Sequence, residues 1–178
     1  MFRNMKNKSL TPVERDFILH WGQMGVQWGI NRTVAQVHAL LYLSEEPLHA
    51  EAICDYLDVA RSNVSTSLKE LQGWGIVHKV SRMGDKRDHF ESVRDVWELA
   101  RIILNERKKR EIDPTRRVLN QLVETAGTDG ETPEYSVKRL QEMSSFLQVS
   151  STWFDRMNRM PRKAIQALIT FGGPGKDG

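Results

Sequence analysis

Cysteine is almost absent: Cys54 stands alone among 178 residues. No disulfide can therefore close within the chain, and no cysteine-rich zinc site can be built. Long apolar runs are also missing. No stretch approaches the about 18 consecutive apolar residues of a membrane-spanning helix. The basic stretch Met1 to Lys8 leads into no signal-peptide core. A cytoplasmic protein without a membrane partner is expected. An excess of one charge is lacking too, since 26 basic and 23 acidic residues leave a formal +3. That balance alone says little about a polyanionic partner, so the placement of the cations must decide. His20, His38, His49, His78 and His89 are scattered. They form no Ser/His/Asp or Cys/His set and no metalloenzyme spacing. Gly172 to Lys176 has the wrong spacing for a phosphate loop. No enzyme, metal or cofactor is expected.

With 39% apolar residues the chain can bury a core, in one domain with extensions or in two small ones. The most informative stretch runs from Pro47 to Val93. It reads as two short helices, a tight turn and a two-stranded hairpin. Ala52, Ile53 and Leu57 mark the buried side of the first helix. Val64, Leu68 and Leu71, at i, i+4 and i+7, mark that of the second. Opposite them lie Ser62, Ser65, Thr66 and Lys69, flanked by Arg61 and Asn63. A solvated helix face usually carries long charged pairs. Short hydrogen-bonding side chains instead let a helix backbone press into a DNA major groove. From Gly73 to Val77 the period changes to strand-like. Strands over 76–82 and 89–93 would flank a charged tip at 83–88, giving the outline of a winged helix-turn-helix. At that tip Gly84 supplies a turn beside Lys86 and Arg87. Arginine at a wing can enter the narrow minor groove. Asp85 is expected to support the wing by fixing an arginine fork.

The flanks read as helix. Thr11-Pro12 with Glu14 is a capping box in part, and Val13, Phe17, His20, Trp21, Met24 and Trp28 form a stripe. Gly22, Gly25 and Gly29 lie opposite, which means either close approach of another backbone or a break near Gly25 to Gly29. Asn31 to Thr33 caps a helix whose apolar face is Val34, Val37, Leu40 and Leu41, and Glu45-Glu46-Pro47 breaks it. Asp95 caps a long helix that Arg107 to Arg110 ends, and Asp113-Pro114 starts another. From Pro133 onward Leu140, Met143, Leu147, Ser150, Phe154 and Met157 step by 3, 4, 3, 4, 3. That is a coiled-coil seam, widened by Phe146 and Trp153. A short helix over 162–170 and a glycine-rich disordered tail over 171–178 close the chain.

The expected fold is mainly α: a winged helix-turn-helix with a two-stranded wing hairpin and N- and C-terminal helices. The divisions are 1–30 for an arm and helix, 31–94 for the winged helix, 95–170 for a C-terminal helical region, and 171–178 for the tail. Phe17, Trp21 and Trp28 are a candidate pocket for a small cationic or apolar effector, although aromatic stripes at helical spacing are more often core. The basic run Arg107 to Arg110 is accounted for by the helix dipole. Cys54 reads as a small buried hydrophobe rather than a redox thiol.

Thr33 to Leu43, Arg61 to Leu71, Gly84 to Glu91 and Asp95 to Glu98, in that order, resemble the GbsR branch of the MarR-like transcriptional regulators. The resemblance implies a homodimer, joined by dimerisation helices within 1–30 and 95–170, that binds double-stranded DNA through winged helices, usually as a repressor on a pseudo-palindromic operator. Arg61 to Gln72 would be the recognition helix and Asp85-x-Arg87 the wing signature. Against the family pattern, Ala60 replaces a serine cap worth about 1 kcal/mol, Asp58 replaces a turn glycine, and His49 replaces a Ser or Thr cap. Two other functions fit the residues: an architectural DNA-binding protein without effector, and a winged helix that binds protein.

Overall fold

The computed structural model describes residues 10–161, 163–165 and 167. The basic arm over 1–9, the tail, and most of the helix expected over 162–170 lie outside the described residues; 163–165 and 167 are helical. The chain forms two compact units, Met1–Ile102 and Ile103–Gly178.

In the first unit α1 is Pro12–Gln27, α2 Arg32–Leu43, β1 Leu48–His49, α3 Ala50–Leu57, α4 Arg61–Trp74, β2 Val77–Arg82 and β3 Asp85–Ser92. Helix α5, Val96–Arg107, follows. Each start has a local cause. Thr11 and Glu14 complete a reciprocal capping box: Glu14 N donates to Thr11 Oγ1 at 3.2 Å and Thr11 N to Glu14 Oε2 at 2.8 Å. Asn31 Oδ1 accepts from Thr33 N, and Asp95 Oδ1 from Trp97 N and Glu98 N.

The three departures from the family pattern resolve differently. His49 caps α3 through its ring, with Nδ1 accepting from Ala52 N at 3.1 Å. Asp58 adopts the left-handed conformation at the end of α3, φ 51°; short polar side chains tolerate it. Ala60 gives α4 no side-chain cap.

The core forms where α2, α3, α4 and the sheet meet. Val37, Ile53, Val64, Leu71, Ile76 and Val77 are at most 1% exposed, each contributing about 1.5–3 kcal/mol of burial. Ala52 and Leu57 are only half-buried beside Ile53.

Helix α1 turns a different face inward from the one its aromatic stripe suggests. Val13 is 78% exposed and Trp28 40%, whereas Ile18, Gly22 and Gly25 are buried. The reason is helix–helix approach. A Cβ at Gly25 would sit 2.5 Å from the Ala35 Cβ on α2, and one at Gly22 would sit 2.8 Å from Gln36 Cγ. The helix also ends at this point, with Gly29 at φ +74°. Both readings of the glycines therefore hold, at different residues.

The sheet has three strands, not two. β1 pairs antiparallel with β3 through Leu48↔Phe90 and His49↔His89, giving the order β1-β3-β2. Two residues just after a proline break carry too little pattern to be read as a strand. The hairpin turn is also tighter than expected. Arg82 pairs with Asp85, so only Met83 and Gly84 (φ +83°) make the turn. Lys86, Arg87 and Asp88 stand on β3 rather than at a loose tip.

The second unit holds a π-helical segment Lys108–Ile112, α6 Asp113–Ala126 and α7 Glu134–Arg159. The helical path does not stop at Arg110. Pro114 lacks an N–H, and the turn before it widens instead of ending. Much of the basic run is paired within this unit or with its own helix: Lys109 with Glu106 (2.7 Å), Arg107 with Glu111 (3.3 Å), and Lys108 with Asp113 (3.2 Å) and Asp155 (3.1 Å).

Helix α7 makes polar contacts with its neighbours in this unit. Arg116 Nη1 donates to Gln148 Oε1 at 2.8 Å and Ser144 Oγ to Asn120 Oδ1 at 2.6 Å, and Asn158 bonds Asn105. Leu140, Leu147, Phe154 and Met157 are half-buried, with Met143 53% exposed. On the side opposite those polar contacts stand Tyr135, Phe146, Val149 and Trp153, each at least 61% exposed. Among the described residues from 103 onward, only Ser151 is buried.

Candidate nucleic-acid interface

Arg61, Ser62, Asn63, Ser65, Thr66 and Lys69 are all exposed on α4, while Val64, Ser67, Leu68 and Leu71 are buried behind them. The fold therefore presents a ridge of short polar side chains and one lysine, backed by apolar anchors. The wing stands beside its N-terminal end. Arg87 Nε donates to Asp85 Oδ1 at 2.9 Å, and Arg87 Nη2 to Asp85 Oδ2 at 2.6 Å. Arg87 N also donates to Asp85 Oδ1, at 3.0 Å. These bonds to Arg87 hold the Asp85 carboxyl well below the usual carboxylate range, and Asp85 in turn raises the Arg87 pKa. The guanidinium thus has one fixed orientation. Lys86 is exposed next to it.

The base of the wing is pinned by two buried histidines. His89 is 1% exposed, with Nδ1 3.1 Å from Arg87 O and Nε2 3.6 Å from Asp85 Oδ2. Its ring meets that of His49 edge-on, with centroids 5.6 Å apart. Burial, then the charge of Arg87, lowers the His49 pKa. A neutral ring suits its capping bond to Ala52.

One acidic residue joins the two arginine positions. Glu51, in the first turn of α3, accepts from Arg61 Nη1 at 2.5 Å and lies 3.8 Å from Arg87 Nη1. The hydrogen bond from Arg61 lowers its pKa. Glu51's place was not legible beforehand: residues 51, 61 and 87 come together only when α3, α4 and β3 fold. His49 was visible only as a departure from a cap pattern.

The aromatic trio on α1 is closely gathered. Phe17 and Trp21 stack with centroids 5.5 Å apart, and Trp28 meets Trp21 edge-on at 6.3 Å. Trp21 Nε1 donates to His38 Nδ1 at 3.3 Å. Burial pushes the His38 pKa down to about 4. A cleft on this unit is lined by other residues, among them Arg15, Ile18, Gln36 and Tyr56. Cys54 is half-buried. Among the described residues no His, Cys, Asp and Glu group could hold a metal, and no helix is long and apolar enough to cross a membrane.

A helix-turn-helix followed by a β-hairpin on a mainly helical frame is a winged-helix fold. Residues 28–88, about a third of the chain, match the family model described as the MarR family; that span runs from α2 through β2 and the first half of β3. A solved structure described as a transcriptional regulator is similar at TM-score 0.57 and 18% identity, covering 83% of this chain and 96% of that one, which shows the shared fold. A mutant of S. aureus MepR bound to an oligodeoxyribonucleotide is similar at TM-score 0.39 and 14% identity, over 78% of this chain and 91% of that one. That likeness is too loose to bear on function. No curated protein matches.

Proposed function

We propose that this chain is a homodimeric, sequence-specific DNA-binding regulator of transcription, of the MarR type and its GbsR branch, acting as a repressor on a pseudo-palindromic operator. The observation that carries the reading is the exposed ridge of α4 with Arg87 oriented beside it. Ser62, Asn63, Ser65, Thr66 and Lys69 would meet base edges or set the helix in the major groove. Arg61, Lys86 and Arg87 would reach phosphates and the minor groove. No chemistry is catalysed in this reading.

The dimer is supported by what the second unit lacks. Among its described residues this helical unit has a single buried one, a serine, which is little core for a unit of its size. The face of Tyr135, Phe146, Val149 and Trp153 is of the kind a partner subunit covers. Two recognition helices would then enter successive major grooves about 34 Å apart. An effector would meet Phe17, Trp21 and Trp28, which pack against one another, Trp21 also against His38.

The test compares the full chain's affinity for its own promoter region with that for a random duplex of equal length. A ratio of about 10³ or more fits a sequence-specific regulator. A ratio near one with a steep salt dependence would make the protein architectural. Binding to neither would leave the winged helix as a protein-binding module.

A further inference from the structure

Both arginines beside the α4 ridge are already engaged by carboxylates. Asp85 holds the Nε and Nη2 edge of Arg87, which leaves Nη1 turned toward Glu51, 3.8 Å from Oε2. Arg61 Nη1 meets the other oxygen of the same carboxylate at 2.5 Å. His49 Nδ1 also lies near, 3.2 Å from Oε2. Its lone pair is committed to Ala52 N–H, so it brings no positive charge. The Glu51 carboxylate thus sits between two guanidiniums from different elements, one on α4 and one on the wing. Its side chain is 47% exposed, so water screens these contacts and the carboxylate can leave.

An oxyanion between two guanidiniums, at the edge of a helix that faces DNA, has the charge and donor geometry of a bound phosphate. We infer that Glu51 is an internal stand-in for a DNA backbone phosphate: it occupies the anion seat between Arg61 and Arg87, and a phosphate displaces it on docking. The inference rests on the DNA-binding reading above and adds the place and competitor of one phosphate contact. Glu51 keeps the seat ordered without DNA and sets a threshold that a weakly placed phosphate does not pass.

The test measures duplex affinity against salt for the wild type, Glu51→Gln and Asp55→Asn. Gln keeps the size of Glu and removes the competing charge. Asp55 is exposed one turn further along α3 and makes the same change in net charge away from the seat. Glu51→Gln is expected to bind a random duplex about ten-fold more tightly at low salt. Its log–log salt slope should steepen by roughly one, while Asp55→Asn stays near wild type. Equal or weaker binding by Glu51→Gln overturns the inference and makes Glu51 a holder of the arginines. So does an equal gain in Asp55→Asn, which would be net charge alone. In both cases the wild type still binds DNA and the functional reading stands. If the wild type binds no duplex at any modest salt, that reading itself fails.

Discussion

Arg87 and Asp85 form a two-pronged pair at the turn end of the wing, closed by Nε–Oδ1 and Nη2–Oδ2 bonds of 2.9 and 2.6 Å. The pair points one guanidinium from β3 toward the side where α4 exposes its polar ridge. Arg87→Ala is expected to weaken binding to the preferred duplex roughly 10- to 100-fold. Asp85→Asn should cost less, since it keeps the cation and loses only its orientation. Titrations by fluorescence anisotropy give both values. Unchanged affinity in Arg87→Ala would remove the wing from the interface.

The apolar face of α7 yields a second prediction. Trp153 and Phe146 are 61% and 65% exposed, so Trp153→Asp places a charge where a partner subunit would lie without disturbing the fold of one chain. Sedimentation velocity should show a helical monomer. Leu147→Asp should also break the dimer, but Leu147 is half-buried, so this variant loses helical signal as well. A wild-type-like dimer in both variants would assign the face to something else.

Buried His38 predicts a pH dependence of stability. Its folded pKa is about 4 against an ordinary 6.5. The unfolded chain therefore takes up the proton first as pH falls. The stabilisation is complete above about pH 6.5 and declines toward pH 4, by about 2 kcal/mol between pH 7 and 5. Urea unfolding at these two pH values should show that loss in the wild type and a smaller one, by about that amount, in His38→Gln. An equal loss in both would place the titration elsewhere.

Gly25 lies at a close approach of α1 to α2. Any Cβ there begins 2.5 Å from the Ala35 Cβ, so Gly25→Val is expected to destabilise by about 1–3 kcal/mol. Gly22→Ala should cost less, because the atom it meets belongs to a flexible glutamine. Equal thermal midpoints for Gly25→Val and the wild type would contradict the packing described.

The sequence spoke clearly where one face of an element carries the signal. Val64, Leu68 and Leu71 had to be buried and Ser62, Thr66 and Lys69 exposed, because helical period fixes both faces at once. Caps were legible for the same reason: Thr11, Asn31 and Asp95 act within three residues. Reading failed where the partner is distant or small. Aromatics on α1 outweighed glycines in the pattern, although the glycines carry the contact. β1 is two residues long, and only Phe90 and His89 far along the chain make it a strand. On α7 the bonds of Ser144, Gln148, Asp155 and Asn158 within the chain were not legible, because hydrophobicity cannot reveal polar contacts. Glu51 was invisible for a related reason: its meaning depends on two arginines brought to it by folding.

The most direct measurement of the central claim selects duplexes from a random pool with the full chain and footprints the enriched sequence with hydroxyl radicals. The account predicts a pseudo-palindrome with two protected patches centred about one helical turn apart, lost together in a Ser62→Glu, Thr66→Glu variant that keeps the wild-type melting temperature. Failure to enrich any sequence, or protection that survives in that variant, would contradict the assignment of the α4 ridge as the reading surface.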